Sequence, residues 1–277
     1  MKRIFLITGT AIFAVLFLFS GIMVYRHYAA EQKSKEAFES VTNLLNTEIT
    51  GQTDETGQTE PSETPPGTDE QDTASLPTPY DKYGAVYKQN SDFIGWISIE
   101  GTNIDYPVMQ TPDNPDFYLK HGFDKGYSEY GVPYVQEECD IDTSDNLIIY
   151  GHNMKNCSMF ADLNQYKSRD FYEQHKIIRF DTLSAFGEYE IVAVFKTVAT
   201  ASEGFKYYHF IDAEDEAAFD AYIAGCKELS LYDTGVSAKY GDRLITLSTC
   251  EYSRTNGRMV IVAKLILPPA GEVVSDG

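Results

Sequence analysis

A run of 21 residues without a charge, Ile4 to Val24, follows Lys2 and Arg3 at the start of this 277-residue chain. As a helix it would span about 30 Å, the thickness of a hydrocarbon core. A secretory leader also opens on basic residues, but its apolar stretch runs only about 7–15 residues. The nearest small-residue pair, Ala29-Ala30, lies beyond Arg26 and His27. The run therefore reads as an uncleaved signal anchor, in preference to a cleaved leader or a buried core helix. Positive charge is nearly balanced across it, with Lys2, Arg3 and the amino terminus facing Arg26, Lys33 and Lys35. A three-residue tail before a single span tends to stay inside. Residues 1–3 are thus expected in the cytoplasm, 4–24 in the membrane and 25–277 outside.

Beyond the span the composition changes twice. Phe38, Val41, Leu45 and Ile49 recur at helical spacing, so 25–50 is expected to be a juxtamembrane segment with a short helix. Residues 51–79 hold seven acids, seven Thr and five Pro, with no Lys or Arg. Such a segment buries too little apolar surface to offset its ordering entropy and is expected to be a disordered acidic linker. Residues 80–268 form the expected folded domain, and 269–277 a C-terminal tail. Leu267-Pro-Pro-Ala-Gly271 reads as the exit from the last strand.

Charge and cysteine content narrow the class. Forty-two acidic against 22 basic residues leave a net charge of −20. That argues against a nucleic-acid partner, which needs a basic face, and disfavours a surface lying on anionic lipid. Four cysteines do not make a disulfide scaffold, although outside the cytoplasm they allow two bridges in three pairings. Strand-type runs recur at Ile94–Ile99, Ile104–Met109, Asn146–Tyr150, Lys176–Phe180, Tyr189–Val198, Leu244–Thr249 and Met259–Leu267. Phe160–Glu173 and Ala213–Leu229 read as helices, the second with a Phe219, Tyr222, Ile223, Cys226 stripe. The expectation is a mainly β barrel or sandwich with inserted helices.

Two buried strands end on reactive side chains. Leu244-Ile-Thr-Leu-Ser-Thr-Cys250 is followed at once by polar Glu251, Tyr252 and Ser253. Eight residues on, Arg258 opens the next strand, after Asn256-Gly257. A hairpin of that length makes Cys250 and Arg258 neighbours, so the guanidinium could lower the thiol pKa or donate to an oxyanion. Arg254, within the loop, is the rival. The second strand, Leu147-Ile-Ile-Tyr-Gly-His-Asn153, delivers His152. Each has a plainer reading: Cys250 as a buried strand cysteine, His152 as a hydrogen-bonded core histidine, Arg258 as a surface ion-pair partner. Cys139, His152 and Cys157 show no metal-ligand spacing, so neither metal nor cofactor is expected.

With these residues in view, Thr246-Leu-Ser-Thr-Cys250 and Arg258 eight residues later resemble the TLxTC…R signature of sortases. Tyr150-Gly-His-Asn153 resembles the family's histidine strand end. Asn103-Ile-Asp-Tyr-Pro-Val108 and Ile94-Gly-Trp-Ile resemble its early strands. The helical insertion at 212–229 and Ser248 resemble class B. The resemblance implies an eight-stranded barrel over about 80–268 and a cysteine transpeptidase. Cys250 would attack the Thr carbonyl of a C-terminal sorting motif, NPxTN-like or S/PPxTG-like, on a secreted protein. His152 would move protons, Arg258 would hold backbone or oxyanion, and a peptidoglycan amine would accept the acyl group. By motif position it implies substrate-cleft roles for Asn103, Tyr150, Tyr207, Tyr208, Ser248, Thr249 and Glu251. Cys157, five residues after His152, could be a second thiol near the site, able to form an inhibitory disulfide with Cys250, although a buried position is the preferred reading. At unperturbed pKa values roughly 3% of such thiols are ionised and roughly 24% of imidazoles protonated at pH 7. Either Arg258 activates the thiol or the enzyme works on a small fraction. Two rivals share the features: a cysteine protease with water as acceptor, and a non-catalytic wall-binding module. Paired carboxylates for a hydrolase do not stand out.

Overall fold

The computed structural model describes residues 2–51, 77–200 and 203–266. Most of the expected linker and the whole 269–277 tail lie outside the described residues. Helix α1 (Lys2–Gly51) joins the apolar run and the juxtamembrane segment without a break, so the expected short second helix is the continuation of the first. From Ile12 to Tyr28 its large apolar side chains are exposed. Further on, Val41 is 2% exposed and Leu45 9%, both packed on the domain. Among the described residues α1 supplies the one helix long and apolar enough to cross a membrane.

The domain opens on α2 (Pro79–Gln89), where the sequence reading expects no helix. Its start is a capping box: the Thr78 hydroxyl accepts from the Asp81 N–H at 3.2 Å, and the Asp81 carboxylate accepts from the Thr78 N–H at 2.8 Å. Pro79 supplies a pre-set first turn. Eight strands follow: β1 (Phe93–Ser98), β2 (Asp105–Met109), β3 (Tyr134–Val135), β4 (Asn146–Tyr150), β5 (Ile177–Thr182), β6 (Glu188–Val198), β7 (Leu244–Cys250) and β8 (Gly257–Leu265). They close a barrel in the order β1-β2-β3-β4-β7-β8-β6-β5. The β2–β3 and β4–β7 pairs are parallel and the others antiparallel. The two-residue β3 has no sequence period of its own, yet it bridges β2 to β4 and so removes an open edge.

The central strands β4 and β7 are buried along nearly their whole length. Parallel neighbours covered on both faces have this uniformly apolar character. Part of the cover comes from α4 (Glu216–Leu229), capped by the Asp215 carboxylate accepting from the Ala218 N–H at 2.8 Å. Its Phe219, Tyr222, Ile223 and Cys226 stripe is buried in the barrel cluster, and the Tyr222 hydroxyl reaches Thr246 at 3.3 Å. The expected Phe160–Glu173 helix is two pieces, a 3₁₀ segment Ala161–Lys167 and α3 (Arg169–Gln174). Ser168 is extended between them, and its hydroxyl accepts from the Phe171 N–H. A serine that caps the next turn competes with continuing the previous one.

Candidate active site

Parallel pairing decides the site. β4 and β7 run in register up to Tyr150 opposite Ser248. The pairing then continues through single bonds. The Gly151 N–H donates to the Ser248 carbonyl at 3.1 Å, and the Thr249 hydroxyl to the Gly151 carbonyl at 2.7 Å. The Asn153 side-chain amide donates to the Cys250 carbonyl at 2.8 Å. His152 and Cys250 thus leave adjacent strand ends side by side. Gly151 has no room for a side chain: a Cβ there would sit 2.5 Å from the Phe160 ring.

Antiparallel pairing brings the third residue. Cys250 lies opposite Arg258 across β7 and β8. The turn between them closes through the Glu251 N–H to the Gly257 carbonyl at 2.9 Å, with Asn256 at φ 55°. A Cβ on Gly257 would collide with the Glu251 carbonyl, so the closure requires glycine. Cys250, His152 and Arg258 line one cleft of about 580 Å³, together with Tyr150, Tyr207, Tyr208, Ser248 and Thr249. Size alone does not single this cleft out. A cavity of about 590 Å³ lies between α2, β1 and β5, but its Asp181 is engaged by Tyr83 and Lys82, and it holds no cysteine.

The His152 ring is anchored from behind. Its Nε2 lies 2.8 Å from the Leu119 carbonyl. A carbonyl only accepts, so Nε2 carries the proton and Nδ1 holds the lone pair of the neutral ring. Burial pushes the His152 pKa below its ordinary 6.5. The Leu119 carbonyl opposes this, the Lys120 ammonium adds to it, and Glu129 opposes it more weakly. The balance favours the neutral ring, so the protonated fraction at pH 7 falls below the unperturbed value.

Behind the rim the cleft wall is braced by its own hydroxyls. Buried Tyr207 shares a 2.7 Å hydrogen bond with the Ser248 hydroxyl. Tyr150 donates to Gln136 at 2.6 Å, and Tyr208 meets Tyr207 edge-on. Two expected cleft residues are elsewhere. Asn103 sits between β1 and β2, where its backbone N–H and side-chain amide both donate to Asp162, at 2.8 and 2.9 Å. It lines a separate cavity beneath α1. Glu251 turns away from Cys250 to meet Lys167 at 2.6 Å and accepts from Ser253, so it braces the turn. Cys157 also lies off the cleft, and it is exposed rather than buried as expected: at φ 63° it lines the cavity with Asn103 and Tyr106. The thiols of Cys139, Cys157, Cys226 and Cys250 are free.

A closed eight-stranded barrel thus brings a cysteine, a histidine and an arginine to one cleft at the mouth of its central strands. The chain belongs to the sortase family: the Sortase domain model matches residues 97–266. It is 36% identical over 191 residues to Sortase B of Listeria monocytogenes, covering 67% of this chain and 74% of that one. The Staphylococcus aureus sortase B–substrate complex is similar with a TM-score of 0.69 at 26% identity, over 85% of this chain and 97% of that chain. A sortase B complexed with triglycine is similar to the same degree, over 85% and 98%.

Proposed function

We propose that Cys250, His152 and Arg258 carry out a two-step acyl transfer on the C-terminal sorting motif of secreted proteins. The motif is NPxTN-like or S/PPxTG-like, and the acceptor is a peptidoglycan amine. The Cys250 thiolate attacks the Thr carbonyl, forming a C–S bond and an oxyanion. Arg258, opposite Cys250 in register, holds that oxyanion or the substrate backbone in this reading. Collapse breaks the C–N bond, and imidazolium His152 gives its proton to the leaving amine. The incoming amine then attacks the thioester, loses a proton to neutral His152, and releases the thiolate. Tyr150, Tyr207, Tyr208, Ser248 and Thr249 form the wall on which the motif would lie.

The observation that carries this reading is the double pairing of β7, with Cys250 between the strand end of His152 and the start of Arg258. The sortase B complexes with a substrate and with triglycine support a peptide donor and an amine acceptor. In the proposed layout residues 1–3 are cytoplasmic and 4–24 span the membrane. Residues 25–50 stand above it, 51–79 link, 80–268 catalyse and 269–277 form a tail, all outside.

The test uses quenched peptides spanning NPxTN, SPxTG, PPxTG and LPxTG, with and without an amine, products being read by mass. The expected result is cleavage at one motif, abolished by Cys250→Ala and diverted to an amide by the amine. Hydrolysis that no amine diverts would make the chain a protease. No cleavage, with Cys250 alkylating like a free thiol, would leave a binding module. A pH profile of that alkylation separates an activated thiol, with a midpoint well below 8, from work on a small ionised fraction.

A further inference from the structure

The loop between β2 and β3 touches the candidate site on one side and α1 on the other. Its 3₁₀ turn, Phe117–Leu119, presents the Leu119 carbonyl to His152 Nε2. Behind that turn, Gly131 adopts φ 61°, and a Cβ there would lie 2.5 Å from the Tyr118 carbonyl oxygen and 2.9 Å from that of Leu119. Gly131 also lines the seam against α1, where Ala30, Lys33, Ala37 and Phe38 face Phe123 and Tyr127. Val41 and Leu45 of α1 share one buried cluster with Tyr118, within this turn, and Phe123, just beyond it. Phe38 meets Tyr106 edge-on at 5.2 Å. Lys33 and Asp124 pair across the seam at 3.7 Å, exposed on both sides, and add little. The docking face at Phe38, Val41 and Leu45 is apolar, and the layers run in order: α1, loop, Leu119 carbonyl, imidazole.

We propose that the docked segment of α1, residues 30–45, is a positioning element for His152: it holds the 117–131 loop so that the Leu119 carbonyl fixes the ring's orientation and tautomer. This rests on the reading of His152 as the proton carrier. A backbone acceptor behind an imidazole acts as outer partners do elsewhere, by aiming the ring and choosing which nitrogen keeps the proton. An error of about 1 Å in such a group can cost roughly a hundredfold in rate. The helix that anchors the chain would then also complete the site, and a domain lacking residues 30–45 would work below its capacity.

The experiment uses the full chain in lipid nanodiscs and the sorting peptide it cleaves fastest. Phe38→Ala combined with Val41→Ala strips the docking face, and Gly131→Ala presses on the carbonyl from the loop side. Both are expected to lower kcat by about tenfold or more while KM stays within about threefold. The nitrogen-bound Nε2 proton of His152, visible by NMR while the carbonyl protects it from exchange, should be lost in both. Val41→Ile, which keeps the apolar contact, should retain rate and resonance. If the double variant does not fold, Phe38→Ala alone decides, since it removes only a half-buried ring. Unchanged kcat with the resonance in place overturns the proposal, as does a fallen kcat with the resonance retained. His152→Ala runs alongside: full activity there would sink the role of His152 itself, a failure distinguishable from failure of the helix.

Discussion

Glu251→Gln tests the brace beneath the Cys250–Arg258 turn. The Glu251 side chain is 5% exposed and accepts from the Lys167 ammonium at 2.6 Å and from the Ser253 N–H at 3.1 Å. Burial alone would raise its pKa, but the bonds from Lys167 and Ser253 and the Lys167 charge outweigh it, pulling the carboxyl from 4.5 to about 2. By linkage a depression of that size is worth about 3 kcal/mol. The Lys167 side chain is 43% exposed, so solvent screening reduces this to about 2 kcal/mol. The folded pKa is depressed, so the contribution is complete above about 4.5 and fades as pH falls towards 2. Urea unfolding of wild type and variant, in a form beginning at Arg26, should differ by about 2 kcal/mol at pH 7. That gap should narrow below pH 4.5 and close near pH 2. A gap absent at neutral pH, or constant into acid, would refute the ion-pair account. Because the brace sits one residue from the thiol, the variant should also lose turnover at pH 7.

Three further outcomes follow from burial and partner geometry. Tyr207→Phe leaves the buried Ser248 hydroxyl without the tyrosine oxygen at 2.7 Å, and thermal unfolding should show a loss of about 1–2 kcal/mol. Iodoacetamide at pH 8 should label Cys250 and exposed Cys157 in the native protein by mass spectrometry. Cys139 and Cys226, pushed by burial to about 11 and about 12, should stay unlabelled until the chain is unfolded. A ¹⁵N titration of His152 should give a midpoint below 6.5, and a midpoint above it would contradict the dominance of burial. Such a histidine takes up its proton more readily when unfolded, so below about 6.5 it should also lower stability.

What the sequence makes legible here is what side-chain pattern encodes. The strands ending at Tyr150 and Cys250 announce themselves as apolar runs stopped by Gly151 and by Glu251, and the pairing of Cys250 with Arg258 follows from hairpin length. The start of α2 is equally readable in Thr78-Pro-x-Asp81, although strand-seeking passes over it. Placing Asn103 and Glu251 in the cleft fails for a physical reason. Motif neighbours share a stretch of chain, but adjacency in sequence does not aim a side chain into the cleft. Ser248 and Thr249 on β7 line it with Cys250, whereas Glu251, past the strand end, is drawn to Lys167, and Asn103, between β1 and β2, to Asp162. The partner of His152 is a different case. A backbone carbonyl is present whatever residue stands at 119, so no residue type there signals it. The constraint falls instead on positions that shape the carbonyl's surroundings: Gly131, whose Cβ would strike it, and the apolar face of α1 at Phe38 and Val41. Substitution at 119 should therefore be tolerated by the histidine where substitution at 131 is not, the reverse of what direct contact with His152 would imply.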